Sequence, residues 1–261
     1  MNTSKPVAII TGSSRGVGAE VAKKLSSKGW NITITCSNSI DSANEVAKSC
    51  ELLGAEVLII KSDVSNAADC INVVKKTSEK WGKIDSLINN AGTTKFNAHH
   101  ELDGLSADDF LKLYSVNTVG PYLMIKEAHS LLLKSPIASV VNIASIAGVT
   151  GIGSSVAYAA SKGALITMTK SLARALGPIR VNAICPGFIQ GDWLKNGLGE
   201  EVYEMVKKAT EDATPLSLCV TAEQVADSIC YFAQDAVTTT GETLLLAVSY
   251  THLTLPTMFE V

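Results

Sequence analysis

The chain has few charged residues, and they are not separated by sign. Charged residues make up 18% of the 261, the formal net charge is −3, and no basic run occurs. Proteins that bind nucleic acids or acidic membrane surfaces usually carry clusters of basic residues. We therefore expect neither a nucleic-acid partner nor a membrane partner.

Long apolar runs are also missing. No segment approaches the roughly 20 apolar residues of a transmembrane helix, and the N-terminus lacks the charged and apolar regions of a secretory signal peptide. We therefore expect a cytoplasmic protein. Hydrophobic residues still make up 46% of the sequence, which is enough for a well-buried core in one large α/β domain or two small ones.

The six cysteines are scattered along the chain, and no Cys-x-x-Cys pair occurs. Zinc sites and disulfide frameworks use closer and more regular cysteine spacings. Buried free thiols are the favoured interpretation, and we predict no metal site. The adjacent His99 and His100 would point apart in an extended backbone, and we assign them to a surface loop.

A glycine-rich segment follows the first apolar run. Val7–Thr11 has the composition of a buried parallel strand, and residues 12–18 read Gly-Ser-Ser-Arg-Gly-Val-Gly before a helical pattern begins. Gly12 would permit a tight turn, while Gly16 and Gly18 would let the backbone approach a pyrophosphate at the start of a helix. The spacing is not Gly-x-Gly-x-x-Gly, and an ordinary flexible turn is the alternative.

The residues after the second predicted strand bear on which dinucleotide would bind. A fold that selects NAD tends to place an acidic residue there, which binds the ribose 2′-hydroxyl. After Ile32–Thr35 the chain reads Cys-Ser-Asn-Ser, and the first acidic residue is Asp41. Arg15 could pair with a 2′-phosphate near Ser37, although it could also be a solvated cation of the turn. This pattern favours NADP(H) and leaves NAD(H) open.

Small polar residues recur at the ends of later predicted strands. Asp63 and Val64 follow a strand at Glu56–Ile60. Asp63 could accept a hydrogen bond from an adenine amino group, or it could cap the next helix. Residues 89–92, Asn-Asn-Ala-Gly, end a strand that begins at Ile84. Their small side chains and amides could line a cofactor without steric conflict.

Tyr158 and Lys162 form the pattern with the most direct chemical meaning. At a spacing of four residues they lie on one face of a helix, one turn apart. A phenol has a pKa of about 10, and a nearby ammonium would lower it, so the pair could act as a general acid and base. Ser145, just past a predicted strand at Ser139–Ile143, precedes the pair. A solvated helix face is the alternative.

Two further segments carry structural predictions. The helical pattern from Ser106 to Lys134 contains Asn117 and Pro121, both unfavourable inside a helix. We predict a local bend at Asn117 that would free a backbone carbonyl for water. Residues 188–214 mix apolar and polar side chains, a pattern typical of an amphipathic lid over a site or of a surface helical excursion.

Strands alternate with helical patterns along the whole chain. The last strands are predicted at Ile179–Ile184 and Thr243–Leu246, with a final helix from Thr221 between them. This alternation predicts an α/β fold with a doubly wound parallel sheet of about seven strands and helices on both faces.

The sequence resembles the short-chain dehydrogenase/reductase family in its single-domain form, because these motifs occur in the same order along the chain. The resemblance covers residues 6 to about 246, and its motifs are residues 11–18, Asp63-Val64, residues 89–92, Asn117, Ser145, Tyr158-x-x-x-Lys162 and Pro186-Gly187. It implies a Rossmann-like fold, a nicotinamide cofactor and a homotetramer or homodimer. The sequence is similar in style to 3-oxoacyl-acyl-carrier-protein reductases and to sugar or polyol dehydrogenases.

The resemblance also implies roles for matching residues. Tyr158 would protonate a carbonyl oxygen, and Lys162 would lower the pKa of Tyr158 and bind the nicotinamide ribose. Ser145 would hold the substrate oxygen, and Asn117 would hold a water that relays protons to Lys162. The cofactor-binding residues would be Gly12, Ser14, Arg15, Gly16, Val17, Gly18, Ser37, Asp63, Val64, Asn90, Ala91, Gly92, Tyr158, Lys162, Pro186, Gly187 and Ile189.

We therefore expect an NADP(H)-preferring oxidoreductase that interconverts a ketone and a secondary alcohol. Its substrate would be a small molecule, and the apolar residues Phe188, Trp193 and Leu194 suggest that it is partly hydrophobic. A non-catalytic nucleotide-binding regulator on the same fold is the alternative, but such a protein would not need an acid/base group.

The sequence departs from the family pattern at two places. Gly191 stands where the family often has a threonine that bonds the cofactor carboxamide. After Leu246 the usual Asp-Gly-Gly ending is replaced by Ala-Val-Ser-Tyr-Thr-His-Leu, which resembles a translated adapter of transposase-based sequencing. We therefore expect a single domain over residues 1–246 and a non-native tail over residues 247–261.

Overall fold

A computed structural model of the protein describes residues 5–247. Apart from Ala247, the tail that we predict to be non-native lies outside this range, so its origin stays a prediction. Within the described residues, no helix combines the length and the apolar character that crossing a membrane requires.

One parallel sheet runs through the described residues, with its seven strands in the order β3-β2-β1-β4-β5-β6-β7. The strands are β1 (Val7–Ile10), β2 (Asn31–Cys36), β3 (Val57–Lys61), β4 (Ser86–Asn89), β5 (Ser139–Ile143), β6 (Arg180–Pro186) and β7 (Thr243–Leu246). The predicted doubly wound parallel sheet is confirmed. Several strand boundaries differ from the predicted ones by one or two residues.

Helices follow most strands and return the chain to the same end of the sheet. Over residues 5–247 they are α1 (Gly16–Ser27), α2 (Ile40–Leu52), α3 (Ala67–Trp81), α4 (Ala107–Tyr114), α5 (Gly120–Leu132), α6 (Ala147–Thr150), α7 (Val156–Ala175), α8 (Asp192–Leu198), α9 (Glu200–Ala213) and α10 (Ala222–Cys230). Short 3₁₀ or π segments lie at Leu102–Gly104, Ser115–Val119 and Tyr231–Asp235.

The sheet is buried on both faces, which explains why its strands are apolar without strict alternation. Ile10, Ile32 and Ile34 pack with residues of α1, α2 and α10 on one face. Ile9 and Leu87 pack with residues of α3 and α5 on the other face. The helices therefore cover both faces, as expected for a doubly wound fold.

The strand order reverses between β1 and β4, which are hydrogen-bonded neighbours. In open α/β sheets, ligands bind in the crevice at the carboxyl ends of the strands where the order reverses. The glycine-rich turn after β1 and the Asn-Asn-Ala-Gly segment after β4 therefore lie side by side at this crevice.

At Asn117, where the sequence predicts a bend, the chain forms a π-helical turn over Ser115–Val119, between α4 and α5. The Gly120 N–H bonds to the Ser115 carbonyl, five residues back. Pro121 has no N–H to donate to the carbonyl of Asn117, which lies four residues before it and would be its partner in an α-helix. A π turn is a wider and rarer local geometry, often found at functional sites.

The alternative that Asp63 caps the next helix is wrong. Asn66, not Asp63, caps α3, because its side-chain oxygen accepts hydrogen bonds from the N–H groups of Ala68 and Asp69. Asp63 instead accepts hydrogen bonds from the N–H and the hydroxyl of Ser65. The side chain of Asp63 is exposed.

The predictions that the cysteines are buried free thiols and that His99 and His100 lie in a surface loop are confirmed. All six cysteines are buried free thiols, and His99 and His100 are exposed in a turn. Among the described residues, no group of three or more histidine, cysteine, aspartate and glutamate side chains is placed to hold a metal ion.

Candidate active site

The glycine-rich turn packs directly against the Asn-Asn-Ala-Gly segment. A Cβ at Gly12 would lie 2.9 Å from the Cα of Ala91, and a Cβ at Gly18 would lie 2.5 Å from Nδ2 of Asn90. Asn90 Nδ2 donates hydrogen bonds of 2.9 Å to the carbonyl oxygens of Thr11 and Gly12. In this structure Gly12, Gly18 and Asn90 therefore hold the two segments together.

Gly16 is different, because the space around it is open. Apart from its chain neighbours and the backbone of α1, no atom lies within 4 Å of the position that a Cβ at Gly16 would occupy, and its φ of +57° is one that glycine adopts most readily. Gly16 is also the first residue of α1, preceded by the exposed Arg15 in an extended conformation. Free N–H groups and the dipole at a helix start favour a bound anion, so this turn fits a dinucleotide pyrophosphate.

Two hydroxyl residues of the turn have contacts that the sequence argument did not assign. Thr11 Oγ1 accepts hydrogen bonds of 3.0 Å from the N–H groups of Asn90 and Ala91. Ser13 Oγ donates to the Ile10 carbonyl and accepts from the N–H of Thr35. Serine and threonine next to a glycine-rich turn were the available signal, because such hydroxyls bond local backbone groups.

The carboxyl ends of β2 and β3 continue the crevice on one side of the turn. Ser37 is exposed just after β2, while Val64 is buried with its side chain against Gly120. Cys36 and Lys61 are in register at the ends of the two strands, and Lys61 is exposed. Lys61 is a cation near Ser37 that the sequence argument did not consider.

Ser145 and Tyr158 are brought together by β5 and the start of α7. Ser145 lies two residues beyond β5, and its hydroxyl accepts a hydrogen bond of 3.1 Å from the Ala147 N–H. Ser155 caps α7 by accepting a hydrogen bond from the N–H of Tyr158. The Ser145 hydroxyl lies close enough to the Tyr158 phenol to lower its pKa.

Lys162 reaches the same place from one turn further along α7. Its side chain is only 4% exposed, and Nζ donates a 2.7 Å hydrogen bond to the Ile143 carbonyl. Nζ lies 5.8 Å from the centre of the Tyr158 ring. A Cβ at Gly92 would lie 3.5 Å from this Nζ and 3.4 Å from Oδ1 of Asn117. The structure therefore gathers Tyr158, Lys162, Asn117 and Gly92.

The side chain of Asn117 is fully engaged with its neighbours. Oδ1 accepts from the Thr93 N–H, and Nδ2 donates to the Thr93 carbonyl and to Ser161 Oγ, all between 2.9 and 3.0 Å. Ser161 Oγ in turn donates to the Tyr158 carbonyl. Asn117 therefore ties the loop after β4 to α7, a link that the sequence did not indicate.

The pKa values of the two titratable groups are set mainly by burial. Burial raises the pKa of Tyr158 to about 12, and the nearby Ser145 hydroxyl opposes this rise. Burial lowers the pKa of Lys162 to about 8. The sequence predicts a lowered pKa for Tyr158, whereas in this structure the loss of water around the phenol outweighs the effects that lower it. At neutral pH the phenol therefore keeps its proton.

The residues after β6 form another side of the crevice. The Pro186 carbonyl accepts from the Ile146 N–H, and the Gly187 N–H donates to the Leu246 carbonyl. Ile189 forms an isolated parallel bridge with Val220. Pro186, Gly187 and Ile189 therefore lie at the sheet edge next to the Ser145 segment.

Gly191, the residue before α8, has a φ of +144° and a ψ of 176°, a conformation that is essentially restricted to glycine. Its N–H donates to the hydroxyl of Tyr203. A threonine would be strained in this conformation. The local backbone therefore accounts for a glycine where the family often has threonine.

Residues 188–214 are mostly helical, and one of their side chains reaches the Tyr158 ring. The ring of Trp193, on α8, is centred 6.5 Å from the ring of Tyr158 and 6.0 Å from that of Phe96. Phe188 packs on Tyr203 with a centroid separation of 5.3 Å. Trp193 is therefore a neighbour of the Ser145–Tyr158 pair.

Comparison with known proteins gives consistent matches over nearly the whole chain. Residues 12–248 match a family described as enoyl-(acyl carrier protein) reductase. A 3-oxoacyl-[acyl-carrier-protein] reductase of Synechocystis is 31% identical over 241 residues, which cover 91% of this chain and 93% of the relative.

Two solved structures have the same fold along nearly their whole length. A structure described as a short-chain dehydrogenase/reductase from Burkholderia xenovorans is 37% identical, with a TM-score of 0.85 and coverage of 94% of this chain and 97% of the other. An NAD⁺-bound xylitol dehydrogenase is 25% identical, with a TM-score of 0.86 and coverage of 94% and 99%. The chain therefore belongs to the short-chain dehydrogenase/reductase family of NAD(P)-dependent oxidoreductases.

Proposed function

We propose that this enzyme reduces a ketone to a secondary alcohol and that it prefers NADPH. The observation that carries the proposal is the adjacent Ser145 and Tyr158 hydroxyls at the carboxyl edge of the sheet, with Tyr158 protonated at neutral pH because its pKa is about 12. A neutral phenol beside a second hydroxyl is a proton donor suited to a carbonyl oxygen.

The chain's own residues would supply positioning and a proton. When bound, the nicotinamide supplies the hydride that forms the new C–H bond. Ser145 would donate a hydrogen bond to the carbonyl oxygen and orient it toward Tyr158. Tyr158 would then donate its phenolic proton to that oxygen as the C=O π bond breaks, which gives the alcohol and leaves a phenolate.

Lys162 and Asn117 would support this proton transfer. The Lys162 ammonium is buried and lies 5.8 Å from the centre of the Tyr158 ring, so it would stabilise the phenolate formed in the reaction more strongly than a solvated charge could. Because the side chain of Asn117 is already bonded, a water that reprotonates the site would bind its backbone carbonyl. Gly92, beside Lys162 and Asn117, would leave room for the nicotinamide ribose.

The preference for NADPH is supported by the charges at the β2 end of the crevice. Ser37 is neutral and exposed, and Arg15 and Lys61 are exposed cations of the neighbouring segments. A 2′-phosphate would meet two cations there and no acidic residue directly after β2. The similar xylitol dehydrogenase binds NAD⁺, so this preference needs a direct test.

The test is a fluorescence titration of the enzyme with NADPH and with NADH. NADPH should bind at least about tenfold more tightly, and Ser37→Asp should reduce or reverse this ratio through charge repulsion. Ser27→Asp, an exposed change at the other end of α1, is the matched control and should leave the ratio unchanged. Equal affinities for the two cofactors in the unaltered enzyme would contradict the preference.

A ketone is favoured over a carbon–carbon double bond because a phenol can pass its proton directly to a ketone oxygen, whereas reduction of a carbon–carbon double bond needs a proton on carbon. The similar 3-oxoacyl-[acyl-carrier-protein] reductase is named for a ketone substrate, whereas the matching family is described by an enoyl reductase. We propose a 3-oxoacyl thioester or a comparable ketone as substrate. NADPH oxidation should be rapid with a 3-oxoacyl thioester and negligible with the matching 2-enoyl thioester. The opposite order would overturn the proposal.

A further inference from the structure

Phe96 lies in a loop that is fixed to the start of α7. The hydroxyls of Thr94 and Ser154 share a 2.5 Å hydrogen bond, and the Asn97 N–H donates to the Ser154 carbonyl at 2.9 Å. His99 Nε2 donates to the Gly153 carbonyl at 3.0 Å. These contacts, on both sides of Phe96, hold its backbone beside the segment that leads into Tyr158.

The ring of Phe96 lies directly on the backbone of α8 at Gly197. A Cβ at position 197 would overlap the Cε2 and Cζ atoms of this ring. The backbone at Gly197 is helical, with no positive φ, so glycine is not required there by backbone conformation. The absence of a side chain at position 197 therefore serves the contact with Phe96.

Trp193 lies on the same face of α8, one turn before Gly197. Its ring is 6.0 Å from Phe96 and 6.5 Å from Tyr158, both in tilted arrangements within the range of favourable aromatic contacts. Phe96, Trp193 and Tyr158 thus form a continuous row of rings, which we call the aromatic wall. Trp193 remains 47% exposed, so part of its ring is available to another molecule.

We propose that Phe96 and Trp193 determine substrate specificity by binding the apolar substituent of the ketone, and that Gly197 is the positioning residue that lets the wall form. This inference rests on the proposed function. A ketone whose oxygen lies against Ser145 and Tyr158 has one substituent next to the Trp193 ring. Burying apolar surface against these rings favours chains of several carbons over short ones.

The wall predicts a dependence on chain length that the unaltered enzyme should show. The probes are the N-acetylcysteamine thioesters of 3-oxobutanoate and 3-oxooctanoate, with kcat and KM measured for each. The longer substrate should have a kcat/KM about tenfold higher or more, mainly through a lower KM. Phe96→Ala and Trp193→Ala should remove most of this advantage and leave the shorter substrate within a few-fold.

The matched control is Phe110→Ala, which removes a half-exposed phenylalanine on α4. It should keep the chain-length dependence. If Phe96→Ala and Trp193→Ala slow both substrates equally, the wall has a structural role only and the proposal is wrong.

Gly197→Ala gives a sharper test through a double-mutant cycle with Phe96→Ala. In the unaltered background the new methyl displaces the Phe96 ring, and KM for the 3-oxooctanoyl substrate should rise several-fold. In the Phe96→Ala background the methyl has no ring to displace, so the same change should have almost no effect. An equal effect in both backgrounds would show that Gly197 does not act through Phe96.

A binding measurement separates this inference from the proposed function. The octanoyl thioester of N-acetylcysteamine has the apolar chain but lacks the reacting ketone. It is titrated into the enzyme and into its Trp193→Phe variant, and the difference between the two fluorescence signals gives the emission of Trp193. The emission should change with the octanoyl thioester and not with the acetyl thioester. An unchanged emission overturns the wall, whereas a change without ketone reduction leaves the wall and removes the proposed reaction.

Discussion

At the scale of single residues, the site depends on two groups whose pKa values burial moves in opposite directions. Tyr158 keeps its proton to about pH 12, and the pKa of Lys162 falls to about 8. Lys162 is therefore partly neutral near pH 8 in this structure, and a bound polar group beside its amine would favour the ammonium. A protonated phenol can donate a proton, and ketone reduction requires a proton donor.

The burial of Lys162 has a consequence for stability. Its pKa is about 8 in the folded protein and 10.5 when it is solvated, so the folded state binds fewer protons between these values. The free energy of unfolding should then rise by roughly 3 kcal/mol between about pH 8 and pH 10.5 through this group. The measurement is denaturant unfolding of the enzyme and of Lys162→Met across this pH range.

The difference between the two proteins isolates Lys162, because the buried cysteines titrate in both. The stability of the unaltered enzyme relative to Lys162→Met should increase as pH rises through this range. Lys75→Met, at an exposed lysine, should show no such trend. A pH-independent difference between the enzyme and Lys162→Met would mean that the amine is not desolvated.

The sequence identified Ser145, Tyr158 and Lys162 by spacing and by resemblance, but it gave the wrong direction for the pKa of Tyr158. A motif shows which charges are near in sequence, whereas the pKa depends on how much water the fold removes. The contacts of Asn117 with Thr93 and Ser161 were likewise out of reach, since they join segments far apart in the chain.

At the scale of elements, the turn between β1 and α1 uses its glycines for different purposes. Gly18 and Gly12 allow close packing against the segment after β4, while Gly16 faces open space with a positive φ. The sequence predicted that both Gly16 and Gly18 contact a cofactor. The spacing of glycines does not show which of them packs against other protein atoms and which faces open space. The π turn at Ser115–Val119 was expected only as a bend, since the hydrogen-bond register of a kink is not visible in composition.

These two kinds of glycine predict different costs for the same substitution. Gly18→Ala places a methyl 2.5 Å from Asn90 Nδ2 and 2.8 Å from the Gly12 carbonyl oxygen, so backbone as well as side chain must shift. It should lower the free energy of unfolding by about 2–3 kcal/mol. Gly16→Ala meets no atom and should cost only about 1 kcal/mol for its left-handed conformation. Thermal unfolding of both variants is the measurement, and equal losses would contradict this division of roles.

At the scale of the whole molecule, the strand order brings residues from distant parts of the chain to one edge of the sheet. The alternation of strands and helices predicted this architecture, because an apolar parallel sheet has few ways to be covered on both faces. The contact of Phe96 with Gly197 and Trp193 was not predictable, since nothing in local sequence relates a loop after β4 to a helix after β6. Large apolar side chains of α4 and α5 remain exposed on the surface of the molecule.

We propose that this exposed surface joins subunits in a homodimer or homotetramer. Leu111 is 68% exposed on α4, and Tyr122 on α5 is also exposed; large apolar side chains grouped on a surface often mark an interface. Leu111→Glu combined with Tyr122→Glu should give a smaller species in sedimentation velocity. Leu52→Glu, at an exposed leucine on α2, should leave the sedimentation coefficient unchanged. A monomeric unaltered enzyme would refute the assembly.

The central claim is that Tyr158 donates the proton in the reduction of a ketone. The most direct test is single-turnover NADPH oxidation by the enzyme and by Tyr158→Phe with a saturating 3-oxoacyl thioester, together with NADPH titration of both proteins. Tyr158→Phe should slow the reaction by about a thousandfold and leave NADPH affinity within a few-fold, because the change removes one hydroxyl and keeps the ring. A variant that reacts within about tenfold of the unaltered enzyme would contradict the account.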